Sequence, residues 1–183
     1  MNVVDVSVVV PVRDEVGTLV ELVGRLTAVA DAADLPLLEI LFVDDGSTDG
    51  SWDVLADLAE REPRVRALRL RRNFGKATAL DLGVRESRGA VIVTMDADLQ
   101  DDPEELPRFL AAMTDDVDLV SGWKRKRQDP LGKTLPSRLF NWVTARLSGV
   151  PLHDFNCGYK AYRREIFDSI TLYGELHRYV PVL

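Results

Sequence analysis

A single cysteine, Cys157, excludes an internal disulfide and a cysteine-rich zinc site, and it points to a reducing compartment. The two histidines, His153 and His177, stand without the His/Cys/Asp/Glu spacing of a zinc centre. No apolar run approaches the ~20 residues that a membrane-spanning helix needs. The N-terminus passes into a strand almost at once, without the pattern of a signal peptide, so the chain reads as a soluble cytoplasmic piece. Two phosphate-binding signatures are missing as well: no G-x-x-x-x-G-K-[ST] occurs, and no G-x-G-x-x-G follows the first strand. Basic character is short overall. With 23 Lys/Arg against 30 Asp/Glu the net charge is −7, which argues against a nucleic-acid binder. What remains is an ordinary globular composition, 46% apolar and 29% charged, in 183 residues that suit one domain with a sizeable core.

The chain is organised around Asp96-Ala-Asp-Leu-Gln100. Before it, Ala90-Val-Ile-Val-Thr-Met95 reads as a buried central strand. Ionised carboxylates are costly inside a sheet, so Asp96 and Asp98 are expected where the strand emerges at its carboxyl edge, the edge at which open α/β sheets bind ligands. In an extended stretch Asp96, Asp98 and Gln100 project to one side and can converge on one point. Oxygen-only ligands suit a hard divalent cation, Mg²⁺ or Mn²⁺, that keeps waters and bridges phosphates. Asp102-Pro103-Glu104-Glu105 has the plainer reading of a helix start, with an N-cap, proline at N1 and acids in the first turn.

Upstream, strands are expected over Val6–Val12, Leu38–Val43 and Val65–Leu70. Amphipathic helices follow them at Leu19–Val29, around Trp52–Ala59, and to about Glu86. This alternation predicts a parallel sheet covered by helices, wound with right-handed crossovers. Downstream, a helix is expected over Pro103–Ala112, a short strand over Asp118–Trp123, a helix over Ser137–Leu147 and another near Glu165. The stretch Lys124–Arg138 holds six Lys/Arg and one acid, so it is locally basic inside an acidic protein, with a loop expected over Lys124–Thr134. Three polar loops, Arg13–Glu15, Asp44–Asp49 and Asp96–Gln100, follow parallel strands and can line one crevice, where carboxylates accept hydrogen bonds from ribose or base. Asp44, Asp45 and Asp49 also suit capping and turns, Glu15 also suits a helix start, and Lys76 can reach a phosphate or stay solvated.

Six segments together resemble family 2 glycosyltransferases, and more narrowly the polyprenyl-phosphate glycosyltransferases. They are Val10–Glu15, Val43–Asp49, Arg72–Lys76, Asp96–Pro103, Asp154–Arg163 and His177–Tyr179. The resemblance implies a GT-A fold: a mostly parallel sheet with helices on both faces and a Rossmann-like nucleotide-binding half. It implies that Pro11, Arg13, Glu15, Val43 and Asp45 frame a nucleotide-diphosphate sugar, with Asp44, Lys76 and Ala97 completing that set. Asp98 and Gln100, with Asp96 nearby, would hold Mg²⁺ or Mn²⁺ and carry catalysis. Lys124 and Arg138 would meet the phosphate of a polyprenyl phosphate acceptor. Arg13-Asp14 departs from the aromatic-asparagine pair usual in the family, which leaves UDP against GDP open.

The resemblance further implies an inverting transfer at the cytoplasmic face of the membrane. A phosphate acceptor, with a second pKa near ~6, needs no general base, so a basic loop fits the chemistry better than a dedicated carboxylate. Family members continue past Leu183, many into membrane helices. One catalytic domain over 1–183, cut short at its C-terminal end and meeting the membrane through the missing portion, is therefore expected. Transfer to a saccharide hydroxyl, or binding of a nucleotide sugar without turnover, are the rival expectations.

Overall fold

The computed structural model describes residues 6–35, 38–123 and 157–168 and the single positions 146, 170, 180 and 182. Four strands run parallel: β1 (Val6–Val12), β2 (Leu38–Asp44), β3 (Val65–Arg69) and β4 (Val91–Thr94). Runs rich in valine, isoleucine and leucine make β1, β2 and β4, because branched side chains pack well on a pleated surface covered on both faces, whereas the edge strand β3 is Val-Arg-Ala-Leu-Arg. Two later strands complete the sheet: β5 (Leu119–Ser121) and β6 (Lys160–Arg163). The order is β3-β2-β1-β4-β6-β5, with β6 antiparallel to both its neighbours. The mostly parallel sheet expected from the sequence is present; the reversed β6 was not foreseen.

Helices cover both faces. Leu19, Leu22 and Leu26, at helical spacing in α1 (Leu19–Ala32), are fully buried, each contributing about 1.5–3 kcal/mol of apolar burial. Together with Leu55 of α2 (Ser51–Arg61) they pack on Val8, Val10 and Val12. The opposite face takes α3 (Lys76–Glu86), whose Leu80 and Val84 join Val9, Ile92 and Tyr162. Gly83 lets α3 lie flat: a Cβ there would come 2.4 Å from a methyl of Val9 and 3.2 Å from one of Val43.

Several expected boundaries move. The central strand is shorter than Ala90–Met95, ending at Thr94. The expected helix over Pro103–Ala112 is a 3-10 turn, Pro103–Glu105, followed by α4 (Leu106–Ala112). Asp102 caps the turn, its side chain accepting from the Glu104 N–H at 3.4 Å, and Arg25 of α1 ties down both acids. The stretch near Glu165 is also 3-10, Arg164–Asp168. The basic loop with Lys124, Arg138 and all of the expected Ser137–Leu147 helix but position 146, and both histidines lie outside the described residues. No described helix is long and apolar enough to cross a membrane.

Candidate active site

The ends of β1 and β2 lie side by side, with Val12 opposite Asp44, while Thr94 of β4 pairs with Lys160 at the start of β6. At this edge opens a crevice of about 360 Å³. The loop after β1 forms one wall and is laced to the loop after β2. The Arg13 guanidinium donates to the carbonyls of Asp45 (2.8 Å) and Gly46 (2.6 Å) and to the Asp14 carboxylate (2.9 Å). The Glu15 N–H donates to Ser51 Oγ at 2.9 Å, and the Val16 N–H to Asp49 Oδ2 at 3.0 Å. Glu15 itself lines the crevice. Partial burial pushes its carboxyl above the ordinary 4.5, and the charges of Asp98, Asp49, Asp96 and Asp14 push the same way. This corner is over-supplied with negative charge.

Asp45 shapes the next wall. Its Oδ1 accepts from the Phe74 N–H at 2.7 Å and its Oδ2 from the Gly75 N–H at 2.9 Å, so one buried carboxylate fixes the approach to α3. Gly46, at φ 70°, sits so close to the Arg72 backbone that a Cβ would come within 2.6 Å. Lys76, the first residue of α3, reaches across and pairs with Asp96 Oδ1. From the far side Gly158 presses on the same carboxylate: a Cβ there would lie 2.8 and 2.9 Å from its two oxygens. Thr94 Oγ1 donates to the Gly158 carbonyl at 2.7 Å, and Asp101 Oδ2 accepts from the Asp96 N–H at 3.2 Å.

The stretch after β4 is not extended, which overturns the alternation argument for Asp96, Asp98 and Gln100. Leu99 takes φ 60°, and Asp98 Oδ1 accepts from the Gln100 N–H at 3.0 Å. The short carboxylate side chain has closed a local turn in place of strand pairing. Asp96, Ala97 and Asp98 line the crevice, whereas Gln100 lines an adjoining cavity of about 590 Å³ with Asp101, Trp123 and Tyr159. The available donors are all oxygens, as a hard cation requires. Among the described residues no three His, Cys, Asp or Glu side chains come together as a group that could hold a metal ion. An open, oxygen-only, negatively charged site fits an ion of the Mg²⁺ or Mn²⁺ kind, which takes its other ligands from phosphate and water.

The model of the Glycosyl transferase family 2 matches residues 7–171. The chain belongs to glycosyl transferase family 2. Among curated relatives, the undecaprenyl-phosphate 4-deoxy-4-formamido-L-arabinose transferase of Pseudomonas aeruginosa is 41% identical over 97% of this chain and 52% of its own. The dodecaprenyl-phosphate galacturonate synthase of Rhizobium johnstonii is 38% identical over 97% of this chain and 53% of its own. The chain thus spans about half the length of these relatives. Among solved structures, a Pyrobaculum calidifontis mannosyltransferase in complex with GDP-Man and Mn²⁺ is 24% identical, with TM-score 0.67, over 93% of this chain and 48% of that one. Glucosyl-3-phosphoglycerate synthase from Mycobacterium tuberculosis, in complex with Mn²⁺, UDP and phosphoglyceric acid, is 20% identical with TM-score 0.71, over 91% and 58%. These likenesses establish the GT-A fold expected from the sequence.

In this family 2 domain the residues singled out from sequence divide into three groups. Pro11, Arg13, Glu15, Asp45, Lys76, Asp96, Ala97 and Asp98 meet at the crevice. Val43, Asp44 and Gln100 do not line it: Val43 is fully buried beside Gly83, Asp44, also fully buried, accepts from the Ser47 N–H at 3.0 Å with Arg69 Nε 3.4 Å from its other oxygen, and Gln100 lines the adjoining cavity. Lys124 and Arg138 lie outside the described residues. Four contributors had no role assigned from sequence: Val12, Asn73 and Gly75, which line the crevice, and Gly158, which backs Asp96. The only signal for Gly158 was its place inside the Asp154–Arg163 segment.

Proposed function

We propose that this chain carries the donor-binding catalytic site of an inverting, metal-dependent glycosyltransferase. It would move a sugar from a UDP- or GDP-linked donor to a polyprenyl phosphate at the cytoplasmic membrane face. The observation that carries the reading is Asp98, a carboxylate lining the crevice with no ion-pair partner among the described residues, beside a Glu15 that its charge already perturbs. The relatives named for undecaprenyl- and dodecaprenyl-phosphate support the acceptor class, and the structures with Mn²⁺ beside UDP or GDP-Man support the donor class.

Asp98 would hold the ion, with Asp96 adjacent; Gln100, set in the adjoining cavity, is left out of that set. When bound, such an ion acts as a Lewis acid for charge developing on the departing diphosphate. The protein supplies the rest. Pro11, Arg13, Glu15 and Asp45 shape the nucleotide end, and Asp45 keeps that wall rigid through Phe74 and Gly75. Lys124 and Arg138 are proposed, on the sequence alone, to grip the acceptor phosphate, Arg138 through its two-pronged guanidinium. No carboxylate need act as base, because the acceptor is already mostly a dianion.

Calorimetric titration of UDP and GDP with and without Mn²⁺ tests the donor site. Asp98→Asn is expected to weaken Mn²⁺-dependent nucleotide binding by at least the ~10–100-fold that losing a ligand's supporting partner costs, with the fold intact. Unchanged Mn²⁺-dependent affinity in that variant would sink the assignment. Polyprenyl phosphate assayed against free glycans separates a lipid-phosphate acceptor from a saccharide hydroxyl.

A further inference from the structure

Lys76 occupies an unusual position for a surface lysine. Its backbone is fixed from two sides: Asp45 holds the Phe74 and Gly75 N–H groups just before it, and Gly83 seats the rest of α3 against Val9. Its partner Asp96 is fixed as well, between Gly158 and the Asp101 carboxylate. The other crevice cation, Arg13, is committed to two backbone carbonyls and Asp14. Four acidic residues line the crevice; the Asp45 carboxylate is taken up by the Phe74 and Gly75 N–H groups, and of the other three, Glu15, Asp96 and Asp98, one is paired with the ammonium of Lys76. We propose that Lys76 is a resident counter-ion: it neutralises Asp96 while the crevice holds no donor, and it passes to the diphosphate when a nucleotide sugar binds. This hand-over rests on reading the crevice as a nucleotide-diphosphate site.

The chemistry suits lysine. Its ammonium is a compact charge with three donors on a flexible stem, so it can leave one acceptor for another without moving the helix that carries it. A diphosphate presents more charge than one carboxylate and forms stronger charge-assisted hydrogen bonds, so the exchange is downhill only when the donor is present. While Lys76 stays on Asp96, a bare divalent cation meets a site already partly neutralised. Once Lys76 has moved, both carboxylates of the turn are exposed to the cation. Lys76 thereby makes nucleotide and metal binding mutually dependent, and such coupling is reciprocal by thermodynamic necessity.

The test is calorimetry on the full chain with Mn²⁺ alone, with UDP or GDP alone, and with each nucleotide plus Mn²⁺. Lys76→Met, close in length and uncharged, is expected to bind Mn²⁺ alone about 3- to 10-fold more tightly, a modest factor because the pair is part-exposed and screened. It is also expected to lose much of the factor by which Mn²⁺ and nucleotide raise each other's affinity. Lys76→Gln should behave like Lys76→Met, and Lys76→Arg like the wild type. Mn²⁺-alone affinity in Lys76→Met equal to or weaker than wild type, with the thermal transition preserved, overturns the counter-ion role. Failure of the wild type to bind either nucleotide more tightly with Mn²⁺ overturns the donor-site reading instead, and the hand-over with it; the Mn²⁺-alone comparison still decides whether Lys76 masks Asp96.

Discussion

At Glu15 the sign of the electrostatics can be read directly as a pH dependence. Burial, then the charges of Asp98, Asp49, Asp96 and Asp14, raise its carboxyl above the ordinary 4.5 in the folded chain. A group with a raised folded value binds its proton more tightly when folded. The stability this one group contributes is therefore fully present below 4.5 and is lost as pH rises through the folded value. Glu15→Gln is expected to melt at a higher temperature than the wild type near neutral pH, with the gain vanishing below 4.5; thermal denaturation across that range checks it. Asp44 and Asp45 show what one residue's position in a loop decides. Adjacent in the sequence, they read as equivalent candidates. In the fold the first turns inward to Ser47 and Arg69, and the second turns to the approach to α3. Spacing along the chain cannot separate two neighbours when one turns to Ser47 and Arg69 and the other to backbone groups about thirty residues away.

The elements that were legible are those with a strong period: the valines of β1, the leucines of α1, and the strand–helix alternation through α3. Leu99 shows why the turn after β4 was not. A positive φ at a leucine is costly locally and is imposed by the surrounding structure, so no residue preference announces it. Polar residues inside strands were opaque for a related reason. Ser7 Oγ donates to Glu39 at 2.8 Å, Arg66 donates to the same carboxylate at 2.5 Å, and the Arg88 N–H at 3.0 Å, knotting four distant segments. Burial works to raise Glu39, but these donors outweigh it and hold the carboxyl below 4.5. The seat of α3 gives a sharper test. Gly83→Ala places a methyl where Val9 already stands, an overpacking expected to cost about 1–3 kcal/mol. Chemical denaturation measures that loss. Because the same helix carries Lys76, weaker Mn²⁺-dependent nucleotide binding is expected alongside it.

Across the whole molecule, β1 to β4 with their helices form a contiguous parallel half, and β6 returns from far along the chain to lie against β4. Gly158 is the point of contact between that return and the crevice. Gly158→Ala is expected to cost about 1–3 kcal/mol by overpacking and to weaken Mn²⁺-dependent nucleotide binding as well, because the Asp96 carboxylate must give way. Denaturation paired with calorimetry reads both effects. The reversal of β6 was illegible because four residues of strand look the same in either direction. It has a consequence for the chain as it is made. On the ribosome, domains assemble from the N-terminus as the chain emerges, and each early strand here can join a neighbour that already exists. The crevice cannot be finished on that schedule. Thr94 waits for a carbonyl 64 residues later, so until Gly158 appears the nascent chain holds Asp96 without its backing, and a diphosphate would meet a pocket with one wall still unbuilt.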